Sequence, residues 1–144
     1  MAPWIRVYFV LFSIAACLTG LMAAQAANPE LDEGLKLLEE GRTTLDDTAL
    51  SRAQDYFSKL TQQHSESAAY LYELGRVESY RSSAWSLHGD KKKAERALDE
   101  AMVSVQQSLK LNEKSAAAHS LLADLYGRKI GLWRGHVRWA EIRP

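Results

Sequence analysis

The stretch Ala101-Met102-Val103-Ser104-Val105-Gln106-Gln107-Ser108-Leu109-Lys110-Leu111-Asn112-Glu113-Lys114-Ser115-Ala116-Ala117-Ala118-His119-Ser120-Leu121-Leu122-Ala123-Asp124-Leu125-Tyr126 decides the fold. Its first part completes a helical stripe that starts near Lys91. Ala94, Leu98, Ala101, Met102, Val105 and Leu109 recur at the spacing that puts them on one face, while Lys92, Glu95, Glu100 and Gln107 fall elsewhere. Polar residues from Asn112 to Ser115 break the pattern, and a second helix is expected from Ser115 to Gly127. The stretch is therefore the join between two amphipathic helices, each with one face to bury.

Working outward, Asp90 after Gly89 is placed to cap the helix from Lys91 to Leu111, because its carboxylate can accept orphan backbone N–H groups. Further helices are expected over Ala49–Gln62, Ser67 to about Tyr80, and, as a shorter one, Leu35–Gly41. Asp47 or Thr48 is expected to cap the helix after the polar turn at Thr43–Thr48. No run shows strand alternation. The chain has 144 residues with 3 prolines and 8 glycines, which fits one all-α domain and argues against disorder. Its 18 basic and 18 acidic side chains supply no excess charge for displacing phosphate counterions, so nucleic-acid binding is not its task.

An earlier segment repeats the spacing of the decisive one. Ala53-x-x-x-Phe57, Leu60 and Leu71-x-x-Leu74-Gly75 match Ala101-x-x-x-Val105, Ser108 and the run ending in Leu122-Ala123-x-x-Tyr126, and the interval from Ala53 to Ala68 equals that from Ala101 to Ala116. This pattern resembles the tetratricopeptide repeat, in an exported bacterial member of that family and a shortened one. The resemblance implies antiparallel helix hairpins stacked as an α-solenoid, with units at about 34–67, 68–115 and an incomplete 116–127. Small Ala53, Ala101, Gly75 and Ala123 would let helices approach while Leu74, Leu122, Phe57 and Val105 fill the seams, and Leu37 and Gly41 stand for the first unit. The middle unit is longer than the pattern between Gly75 and Ala101, and the surplus is expected as longer helices joined by a short turn at Leu87–Asp90.

Before this domain, taken as 27–127, lies a leader. Arg6, the apolar run Val7–Met22 and Ala23-Ala24-Gln25-Ala26 have the order of a signal peptide, with cleavage expected after Ala26 and a periplasmic destination. Two alternatives stand beside it: Ile14-Ala15-Ala16-Cys17 resembles a lipobox, and the run has the length of an uncleaved inner-membrane anchor. Without Cys17 the chain has no thiol chemistry.

No catalytic, cofactor or metal residues are assigned. His64, His88, His119 and His136 form no ligand spacing, His119 being expected as a packed core or groove histidine, and no serine or glycine motif of a hydrolase or phosphate loop occurs. The chain is expected to be no enzyme. The resemblance implies a protein-binding scaffold whose first helices line a groove for a peptide or partner helix, and by position Tyr70, Glu73, Arg76, Val77, Ser120 and Asp124 are its candidate contact residues. The segment 128–144, with Arg128, Lys129, Trp133, Arg134, Arg138, Trp139 and Arg143, is expected as a separate basic tail because Gly127, Gly131 and Gly135 interrupt it. Its composition suits an anionic lipid surface and supports the alternative of a membrane-tethered assembly factor. The apolar face of Ala118, Leu121, Leu122, Leu125 and Tyr126 then needs a cover: the tail folded back, another chain, or a continuation of the array in a longer protein, the last being favoured.

Overall fold

A computed structural model describes the backbone of residues 28–142 and the side chains of residues 28–132; the leader with Cys17, and the side chains of Trp133, Trp139 and the tail arginines, lie outside them. Among the described residues the protein is all-α and has no strand. Its helices are α1 (Pro29–Thr44), α2 (Asp47–Gln63), α3 (Ala68–Leu87), α4 (Lys91–Leu111) and α5 (Ala116–Ile142).

Capping side chains set the helix starts. Asn28, Asp46, Ser67 and Asp90 each accept a bond from a backbone N–H in the first turn of α1 to α4, and Ser115 does so for Ala118 at the head of α5. The cap of α2 is thus Asp46, just before the expected position. Pro29 follows Asn28 at the first turn of α1, where its missing N–H costs nothing, so that helix begins well before the expected start at Leu35. The turn between α3 and α4 is the short one expected, made by His88, by Gly89 at φ +77° and by Asp90.

Helix α3 is central and touches all four others, most extensively α4. It accordingly buries residues on every side, from Tyr70 and Leu71 to Ser82 and Ala84. Two apolar clusters result. One joins Leu38, Leu50, Ala53, Phe57, Leu60, Tyr70, Val77 and Ala84; the other joins Leu98, Ala101, Met102, Val105, Ala118 and Leu125. Glycine lets the paired helices close: a Cβ on Gly34 would stand 2.5 Å from Phe57 Cζ, and one on Gly75 would stand 2.5 Å from Val105 Cγ2. A Cβ on Gly41 would likewise stand 2.7 Å from Leu50 Cδ2, so both glycines of α1 lie close against α2.

The two joins agree bond for bond. His64 N–H donates to Leu60 O and Ser67 N–H to His64 O; at the second join Asn112 N–H donates to Ser108 O and Ser115 N–H to Asn112 O. Buried Ala53, Phe57 and Val77 correspond at the same offset to buried Ala101, Val105 and Leu125.

Helix α5 departs from expectation. It runs through Gly127 and Gly131 to Ile142 as one helix of 27 residues, so the backbone after Arg128 neither forms a separate element nor folds back as a cap. Three glycines, Gly127, Gly131 and Gly135, at about 1 kcal/mol each weaken a helix without ending it when packing holds the rest, and Lys129 and Leu132, on either side of Gly131, still lie against α4. Ala123 is exposed rather than buried in a seam, and Tyr126 and Ile130 are exposed at 45% and 53%.

Candidate functional site

Helices α3 and α5 leave a groove of about 590 Å³ between them. One wall carries Tyr72, Arg76, Ser79, Tyr80 and Ser83; the other carries Ala117, Ser120, Leu121, Asp124 and Arg128. These α3 residues follow helical spacing on the side of α3 opposite Leu74 and Glu78, which face α2 and α4.

Arg128 is the best-positioned group in the groove. Its Nη1 donates to Ser79 Oγ at 2.7 Å, and its Nη2 donates to Ser79 O at 3.2 Å and Ser83 Oγ at 3.1 Å. All three acceptors are neutral. The nearest carboxylate is Asp124 at 3.9 Å, itself 61% exposed, too distant for a hydrogen bond. Desolvation lowers the pKa of Arg128 and Asp124 opposes that only in part. A guanidinium held by neutral oxygens beside a groove, with one exposed carboxylate at ion-pair distance, is charged, oriented and only partly neutralised among the described residues.

Arg76 differs. Its Nη1 donates to Glu73 at 2.8 Å, and it lies 5.9 Å from the ring centre of Tyr72. Burial raises the pKa of Glu73 despite this partner. Arg76 also lines a second hollow, of about 450 Å³, shared with Asp32, Leu35, Lys36, Leu38 and Glu39 of α1. Helices α1, α3 and α5 thus present two adjoining hollows with Arg76 between them.

Of the six residues chosen by position, Arg76, Ser120 and Asp124 line the groove. Glu73 is buried behind Arg76 as its partner. Tyr70 and Val77 belong to the core instead, at 4% and 0% exposure. The Tyr70 hydroxyl receives a bond from Asn28 at 2.8 Å and donates to Glu30 at 3.0 Å, tying the start of α1 to α3. Counting along a repeat does not tell the groove side of α3 from its core side, because α3 is buried on several faces at once. Arg128, Ser79 and Ser83 were missed in the sequence for a related reason: Arg128 reads as tail, and two serines carry no pattern of their own.

His119 is exposed, and its Nε2 bonds Glu113 O at 2.8 Å across the turn, which corrects the expectation of a packed side chain. Among the described residues no group of three or more His, Cys, Asp or Glu side chains is placed to hold a metal, and no helix is long and apolar enough to cross a membrane. Comparisons with protein-family models, with curated proteins and with solved structures give no match.

Proposed function

We propose that this chain is a non-enzymatic binding module, a short helix-hairpin array resembling tetratricopeptide repeats, that holds a segment of a partner protein in the groove between α3 and α5. The observation carrying this reading is Arg128: an oriented guanidinium, half-buried and without a bonded carboxylate, on the wall of an open groove. The groove's α3 wall runs from Tyr72 to Ser83 and so rises about 16 Å at ~1.5 Å per helical residue. That length matches an extended peptide of about five residues at ~3.3 Å each. An acidic side chain in that peptide would give Arg128 a bonded counterion, with the Tyr72 and Tyr80 rings flanking it. The bond-for-bond repetition of the two joins supports the repeat reading, and the order of residues 1–26 supports an exported protein working in the cell envelope.

The test is peptide-array binding with the full chain, followed by titration of the best binders. Enrichment of acidic peptides, weakened about tenfold or more by Arg128→Gln and unaffected by Val103→Ser on the α4 side, is the expected result. Binding that ignores Arg128→Gln and Tyr72→Ala would overturn the groove assignment.

A further inference from the structure

Glu78 is a carboxyl group that the groove does not use. It is 2% exposed and stands on α3 where α2 and α4 meet it. Its one close cation is Arg81, at 3.4 Å, and that guanidinium is shared: Nη1 donates to Gln54 of α2 at 2.7 Å, and Nε lies 3.5 Å from Asp47 Oδ1 at the start of α2. Neither Arg81 Nε nor Asp47 Oδ1 makes a hydrogen bond, although both are buried. Gln54 also hydrogen-bonds Glu78. From α4, Glu100 adds a further negative charge, and Lys92, Glu95, Arg96 and Asp99 line the same hollow nearer solvent. From α2 the other groups there are the neutral Gln54 and Ser58.

We propose that Glu78 is a proton-operated latch between the first hairpin, α1–α2, and the rest of the protein. Neutral, the carboxyl is one polar member of a packed seam that its hydrogen bonds satisfy. Ionised, the buried carboxylate shares one guanidinium with Asp47 and Gln54 and is repelled by Glu100 at the rim, and the strain is relieved when α2 moves off α3. What the latch controls is the hollow that Arg76 shares with α1, because that hollow exists only while the first hairpin is docked. The proposal does not depend on what occupies the groove between α3 and α5.

Burial raises the Glu78 pKa from 4.5 to about 7, with Arg81 opposing and Glu100 reinforcing the rise. The sign follows from linkage: a carboxyl with a raised folded-state value contributes docking stability that is full below pH 4.5 and is lost as pH rises from there through 7. Between pH 5.5 and 8 the open-to-closed ratio should rise roughly 30-fold.

Hydrogen exchange on the full chain tests this, with rates normalised to the intrinsic rate at each pH. Protection of the α2 amides from Ala49 to Leu60 should fall roughly 30-fold over that range, while the α4–α5 contact around Val105 and Leu125 changes much less. In Glu78→Gln the α2 change should vanish. Equal losses in wild type and Glu78→Gln, or equal losses at both interfaces, would overturn the latch. Carbon-13 titration of the Glu78 carboxyl in the wild-type chain decides the matter if the variant does not fold: a midpoint near 4.5 ends the proposal and one near 7 supports it.

Discussion

Alanine replacing glycine should have opposite signs at two sets of positions in this protein, and the difference measures how tightly the helices meet. In an open helix interior, Gly→Ala stabilises by about 1 kcal/mol, because alanine loses less backbone entropy on folding. Gly127 and Gly131 meet that condition: a Cβ at either has nothing within 4 Å. Gly75 does not. Its new Cβ would sit 2.5 Å from Val105 Cγ2 and 3.2 Å from the Ala101 carbonyl oxygen, and neither neighbour is the loose end of a flexible chain. Val105 is β-branched, held in one rotamer in a helix, and fully buried, so α4 itself must move. Overpacking of this kind costs about 1–3 kcal/mol, and because a whole helix must move the upper part of that range, about 2–3 kcal/mol, applies, which exceeds the gain in propensity and leaves Gly75→Ala net destabilising by about 1–2 kcal/mol.

Urea or thermal unfolding of purified chains reads these values. At about 4 °C per kcal/mol for a domain of this size, Gly127→Ala with Gly131→Ala should raise Tm by about 4–8 °C and Gly75→Ala should lower it by a similar amount. Adding Val105→Ala to Gly75→Ala should remove the clash, so the double variant should be less damaged than the sum of the two by about 1–2 kcal/mol. If Gly75→Ala proved neutral or stabilising, the close α3–α4 approach would be wrong. A loss of stability from Gly127→Ala would mean that α5 is not an open, continuous helix there.

Further expectations follow from burial and bonding. Phe57→Ala, at a fully buried ring, should cost about 3–5 kcal/mol, whereas half-buried Leu74→Ala should cost less than half as much, and chemical denaturation will rank them. Ser108→Ala removes the 2.7 Å bond to Ala68 O that ties α4 to the start of α3 and should cost about 1–2 kcal/mol, while Ser104→Ala, at a buried serine one turn away on α4, serves as the control. Glu78→Gln should flatten the decline in stability between pH 4.5 and 7, since the lost term is the ionisation of that one carboxyl, and denaturation series at several pH values will show it.

The helices were legible wherever one face is apolar and a capping side chain precedes it. The α4 stripe from Ala94 to Val105 is buried as its spacing implies, and Asp90 caps it through Lys93 N–H. Periodicity reached only to about Tyr80 in α3, because a helix packed on all sides has no single stripe to detect, and its further extent was legible from the surplus length before the turn at Leu87–Asp90. The end of α5 was misjudged by giving glycine the power to stop a helix, when its cost is about 1 kcal/mol per residue and contacts elsewhere in the helix offset it. The groove was legible in outline through Arg76, Ser120 and Asp124, but its most consequential member was assigned to a tail that is in fact helix.

The surplus length of the second hairpin follows from the same helix geometry. The interval from Gly75 to Val105 is longer than that from Gly34 to Phe57, yet a Cβ on either glycine would stand the same 2.5 Å from its large partner. A hairpin can be extended at its tip without disturbing a contact lower down as long as the turn still closes, because the faces below the tip keep their own helical phase. The helices carry the surplus: α3 has 20 residues against 16 in α1, and α4 has 21 against 17 in α2, with part of the α3 gain lying before Gly75. The glycine seam therefore stays in register. The tip itself is packed rather than loose, since Ala84 and Ala94 are fully buried there and the Lys93 ammonium lies 4.1 Å from the centre of the Trp85 ring. Below that tip, Leu98 and Asp99 of α4 hold Leu132 and Lys129 of α5. Lys129 is the neighbour of Arg128, so the grip of α4 on α5 fixes the turn that carries the groove guanidinium onto Ser79 and Ser83. A hairpin lengthened at its tip thus keeps its core contacts and still offers α5 a long, rigid surface, which is what places Arg128 at the wall of the groove.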